Sequence, residues 1–156
     1  MIDSPTFSAL YPFVIGYAIS VIAAHFLVRW TLNPLWQSLG DPREPNWFLP
    51  SLNQGLIERF LYTLSWQLGQ PAFIGIWVAL KVASQWKKWS ENPSYNIFLV
   101  GTGLSVLYGV LGAKEIFWIE QSSWKSIYIP LVVVAGNLLL ISYNRKKVGG
   151  LTSRSG

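Results

Sequence analysis

Of the 156 residues, 51% are hydrophobic and only 12% charged, about half the charge of an ordinary soluble domain, near 25%. Twelve Lys+Arg against seven Asp+Glu give +5, with 15% aromatics and a mean hydropathy of +0.34. That much apolar surface excludes a disordered chain, the absence of cysteine excludes a disulfide scaffold or thiolate metal centre, and basic residues scattered or set at the ends of apolar runs argue against a nucleic-acid partner. What remains is a small polytopic membrane protein. The fold class expected is all-α, an integral membrane four-helix bundle whose first partner is the lipid bilayer.

A bilayer core of about 30 Å needs about 20 apolar residues in a helix, and four runs approach that length. The first, Ala9 to Val28, closes on Arg29-Trp30 and predicts a helix over about 9–29. Its leader holds Asp3 and Pro5 and no basic residue, so it reads as a retained helix rather than a cleaved signal. The segment 31–54 carries Pro34, Pro42, Pro45 and Pro50 beside Trp36, Trp47 and Phe48. Prolines at that density rule out one long helix, and an interfacial connection is expected. The second run, Phe60 to Leu80, has no charge and predicts a helix over about 55–84 bent at Pro71. The third, Ile97 to Ala113, opens with the cap pair Asn92-Pro93 and predicts a helix over about 94–118. The fourth, Ser126 to Ser142, predicts a helix over about 124–143 and is followed by Arg145-Lys146-Lys147.

Residues 1–147 then form one transmembrane bundle, and 148–156, with Gly149-Gly150, a flexible tail. Three spans plus one embedded segment is the alternative. Tryptophans and tyrosines gather at the run ends as an aromatic belt, among them Trp30, Trp86, Tyr95, Trp118 and Tyr143. With four spans the two termini share a side that holds seven basic residues against five. The positive-inside rule places both termini in the cytoplasm of an inner-membrane protein.

No catalytic, cofactor or metal site is expected. His25 is the only histidine, too few for a metal centre. Gly101-Thr102-Gly103 lies within an apolar helix rather than after a strand, so it is no phosphate loop. Gly101, Ser105, Gly109 and Gly112 fall within about 80° of one another on that helix, a small-residue face that lets another backbone approach. On the second predicted helix, Arg59, Thr63, Gln67, Gln70 and Lys81 share one stripe at 100° per residue. Glutamines facing lipid would leave donors unsatisfied, so the stripe is expected to face protein or water. Gln67, Gln70 and Asn137 lie at similar depth and are expected to form an uncharged midplane cluster that serves as interhelical glue, with a permeation pathway as the alternative. Glu58, Arg59 and Lys81 are expected as interfacial charges marking the ends of a span.

Between Gly55 and Tyr108 the residues Gly55-Leu56-Ile57-Glu58-Arg59, Gly69-Gln70-Pro71, Ile74-Gly75, Ala79-Leu80-Lys81 and Gly101-Thr102-Gly103-Leu104-Ser105 resemble a group of small bacterial inner-membrane proteins with no established activity. The resemblance covers about a third of the chain and implies an integral membrane protein without supplying a mechanism. The function expected is therefore non-enzymatic: an accessory or assembly component interacting through helix faces, with a second copy or other membrane subunits as partners. A homo-oligomeric channel or small-solute carrier built on the polar stripe is the alternative. The lack of His, Asp and Glu clusters argues against an enzyme.

Overall fold

The computed structural model describes residues 5–39, 48–89, 94–122 and 125–152, all helix or turn. The chain begins with a continuous rod made of α1 (Pro5–Tyr17), a π-helical turn (Ala18–Ala23) and α2 (Ala24–Ser38). In the π turn the Ala24 amide donates to the carbonyl of Ile19, five residues back. The rod carries helix eight residues into the segment expected as a connection, with Pro34 buried inside α2. Pro42, Pro45 and Trp47 lie outside the described residues.

The second apolar run is where structure and expectation part. The predicted helix over 55–84 is two helices, α3 (Phe48–Gln67) and α4 (Ala72–Trp89). Gly69 adopts φ +70, the left-handed conformation that glycine alone takes without a Cβ penalty. Its amide donates to the Trp66 carbonyl at 3.1 Å, and the Gln70 amide to the Ser65 carbonyl at 2.8 Å. Those two bonds make a Schellman cap, and Pro71 just beyond it cannot continue the helix. The chain then reverses: Glu58 and Lys81, about equally far from the turn on either side, meet at 2.6 Å. What the hydropathy pattern presents as one bent span is a helical hairpin.

Two longer helices follow, α5 (Ser94–Glu120) and α6 (Lys125–Thr152). The expected tail is helical as far as Thr152, and 153–156 lie outside the described residues. α5 is the axis of the molecule and packs against every other described element. It runs antiparallel to the first rod, with Gly112 against Gly16 and Gly101 against Leu32. It runs parallel to α3: Arg59 meets Ser105 and Thr63 meets Gly109, while Lys114 lies over the Trp66 ring. α6 turns back along α5 and brings Asn137 to Thr31 and Tyr108. The core gathers Ala24, Leu27, Val28, Tyr108 and Leu111. Two helices, Leu10–Ser38 and Tyr95–Glu120, are long and apolar enough to cross a membrane, while Ala72–Ser84 and Ile127–Tyr143 are shorter apolar helices.

Candidate functional site

The small-residue face of α5 is a wedge between two neighbours rather than a single contact. A Cβ built on Gly112 would stand 2.5 Å from Ser20 Cβ and 2.6 Å from the Gly16 carbonyl oxygen. One on Gly101 would stand 2.9 Å from Leu32 Cδ1. Both sites face the first rod. Gly109 faces α3 instead, where an added Cβ would lie 2.6 Å from Tyr62 Cβ, and Ser105 faces Arg59. Backbones therefore approach closely on two sides of α5, as small residues permit. Gly16, the counterpart of Gly112 on the rod, belongs to this contact. Its place in an apolar run gave no signal beyond being a glycine.

The three residues expected as a midplane cluster are not together. Gln67 accepts a hydrogen bond from the Tyr17 hydroxyl at 3.1 Å. Asn137 sits with Thr31, whose hydroxyl is 2.8 Å from Asn137 Oδ1, and its amide donates to the Tyr108 hydroxyl. Tyr17 and Thr31 are roughly 20 Å apart along their rod at 1.5 Å per residue, so these are separate polar ties. Gln70 is in the hairpin turn and exposed. The cap moved it there: angles counted along an unbroken helix do not carry across Gly69.

The charged residues expected at span ends are the most concentrated chemistry in the molecule. Glu58 and Arg59 are each only 2% exposed. The Lys81 ammonium donates to Glu58 Oε2 at 2.6 Å, and the Gln54 amide donates to Glu58 Oε1 at 3.0 Å. Lys81 also lies over the Phe98 ring, 4.9 Å from its centroid, so this one cation ties α4 to both α3 and α5. A buried carboxylate needs a partner charge and hydrogen bonds to its oxygens, and Glu58 has the Lys81 charge and one bond to each oxygen. Arg59 points another way, as neighbours 100° apart on a helix must. Its Nη1 donates to Ser105 Oγ at 3.4 Å, while Nε and Nη2 are buried without a partner. Below it the Thr63 hydroxyl is shared between the Arg59 carbonyl (2.9 Å) and the Gly109 carbonyl (3.0 Å).

Sequence spacing did not pair Glu58 with Lys81, because on an unbroken helix they would stand roughly 35 Å apart. The readable signal was the Gly69-Gln70-Pro71 stop between them. Among the described residues no group of three or more His, Cys, Asp or Glu side chains is placed to hold a metal. Comparison with protein-family models, with curated proteins and with solved structures finds no match.

Proposed function

We propose that the chain is a multi-span inner-membrane protein with a non-enzymatic, accessory or assembly role, held together by polar ties inside the bundle and meeting its partners through apolar helix faces. The observation that carries the membrane reading is how the hairpin sorts the basic residues. Because α3 and α4 return the chain to the end of the bundle it left, the start of the first rod and the end of α6 lie at opposite ends. Among the described residues, Arg29, Arg59, Lys81, Lys87, Lys88, Arg145, Lys146 and Lys147 belong by position along their helices to one end, and Lys114 and Lys125 to the other. A count of eight against two is the asymmetry that the positive-inside rule describes. It orients the C-terminus to the cytoplasm and the N-terminus away from it. The earlier expectation of two cytoplasmic termini rested on an unbroken second helix.

Burial supports the same reading. Ser20, Thr31, Glu58, Arg59, Thr63 and Asn137 are inside, while Ile22, Phe26, Ile76, Leu80, Leu131, Val132 and Leu139 are more than half exposed. Polar groups packed inward beneath an apolar exterior suit a lipid surround. The small face of α5 is used up within the protomer. The open apolar face of α4, lined by Gly75, Val78, Ala79, Val82, Ala83 and Trp86, is left for another subunit. The Thr63 hydroxyl and Gln67 Oε1 make hydrogen bonds across the bundle, which favours glue over a water-filled path.

Reporter fusions test the topology. A cytoplasmic reporter should be active after Arg154 and at Arg43, and inactive at the N-terminus and at Gly69. Activity at both termini would restore the four-span arrangement and remove the argument from basic-residue asymmetry. Purification in mild detergent tests the role: foreign subunits should accompany the chain, and an isolated ring conducting solute in liposomes would replace this reading with the channel.

A further inference from the structure

Around Glu58, Arg59 and Lys81 the bundle holds two positive charges against one negative. Lys81 and Gln54 each donate to one oxygen of Glu58, and among the described residues no carboxylate forms an ion pair with Arg59. Buried without partners are Arg59 Nε, Arg59 Nη2, the Thr102 hydroxyl and the Tyr62 hydroxyl. Thr102 lies one turn from Ser105, the residue that takes Arg59 Nη1, and residues three apart on a helix share a face. Tyr62 lies one turn from Arg59 on α3. The unpaired part of the guanidinium is its Nε–Nη2 edge, two parallel donors spaced to take two oxygens of one anion.

We propose that this edge, with the Thr102 hydroxyl, binds a phosphate oxyanion, supplied by an anionic lipid headgroup at the cytoplasmic face. The guanidinium folds back toward the start of α3, where a Cβ on Gly55 would stand 3.4 Å from Nη1 and 3.5 Å from Nη2. The edge itself is buried, and Gly55 sets no side chain against it, so an anion reaches it past the backbone of α3 at the hairpin base. That base belongs to the end of the bundle with eight of the basic residues described, where a leaflet of anionic lipid concentrates phosphate. Beside Arg59 on α3, Ile57 and Phe60 are 57% and 46% exposed, apolar surface on which acyl chains can lie. The choice of a lipid as source rests on the membrane reading; the oxyanion chemistry does not.

The test uses the full chain in an uncharged detergent and follows thermal unfolding against added short-chain phosphatidylglycerol, phosphatidylcholine, inorganic phosphate or acetate. Phosphatidylglycerol should raise the midpoint saturably. Gly55→Leu, which covers the edge and keeps the charge, should weaken the apparent affinity about tenfold or more, the loss of one bidentate charge-assisted contact. Thr102→Val should weaken it less, and Arg59→Gln, where it folds, should abolish it. A saturable response to inorganic phosphate alone, lost in Gly55→Leu, upholds the oxyanion site and moves its source from lipid to free ion. Acetate matching phosphate would point to a carboxylate from a protein partner and overturn the proposal. So would a wild-type chain that responds to none of the four, or a phosphatidylglycerol response unchanged in Gly55→Leu. The topology reporters are scored separately, so failure of the membrane reading leaves the phosphate and acetate results interpretable.

Discussion

The two arms of the hairpin come from one apolar stretch of sequence and meet opposite fates. α3 buries Glu58, Arg59, Tyr62, Thr63 and Ser65, so its inward face is polar. α4 buries only Ile74 among its described side chains and leaves Phe73, Ile76, Leu80 and Trp86 outside. Hydropathy does not separate them. What does is whether a helix offers polar groups that reach partners across the bundle: on α3, Glu58 meets α4, Arg59 and Thr63 meet α5 and Gln67 meets the first rod, while on α4 Lys81 alone does so among the described side chains, amid an otherwise largely apolar surface. Where the surround is apolar, burial of methyl groups gains little and hydrogen bonds and close packing decide which face turns inward.

The largest expected effect contrasts a glycine at the α3–α5 seam with one on α4. Gly109→Leu should destabilise the bundle by about 3 kcal/mol, because its first added atom already meets Tyr62 and overpacking of that kind forces helices apart. Gly75→Leu, with nothing within 4 Å of its added Cβ, should lose nothing and gain up to about 1 kcal/mol from helix propensity. Unfolding in mild detergent measures both, and equal losses would erase the distinction between the arms.

Next in size is the ion pair that joins them. Glu58→Gln alone should cost about 3 kcal/mol by stranding the Lys81 charge, whose side chain is only 14% exposed. The double variant Glu58→Gln with Lys81→Met should recover most of it. If the double is as unstable as the single, the charges do not act as a pair.

The turn gives a pair of opposite signs. Gly69→Ala should lose about 1 kcal/mol, since its φ of +70 penalises a Cβ. Gly75→Ala, in a regular stretch of α4, should gain about 0.5–1 kcal/mol from helix propensity. A gain at both positions would mean that the second run is one continuous helix.

Smallest is the comparison of the two glutamines. Gln67→Leu should lose about 0.6 kcal/mol with the Tyr17 bond, the average for such ties. Gln70→Leu, exposed in the turn, should be close to neutral. A larger loss at Gln70 would place it back inside the bundle.

How far the sequence could be read divides along the same line. Properties local to one helix were legible: the helical character of all four runs, the small face of α5, and the inward turn of Thr63 and Gln67 all follow from periodicity and polarity within a few turns. Relations across Leu68–Pro71 were not. The stripe angles for Gln70 and Lys81 presumed an unbroken helix, and a single left-handed glycine cancelled the phase between the two halves. The stop signal was present, Gly69 as a C-terminal cap followed by Pro71, but the length of the apolar run outweighed it. Proline misled in the other direction at Pro34, where a helix with tertiary support absorbs the missing donor and continues to Ser38.

The bond between Glu58 and Lys81 also sets an order on how the chain can be built. A carboxylate drawn into the bundle before its lysine exists would stand as an uncompensated buried charge. Docking of α3 against its neighbours therefore costs less once the turn has formed and Lys81 stands beside Glu58, which favours entry of the two arms together, with the carboxylate already paired.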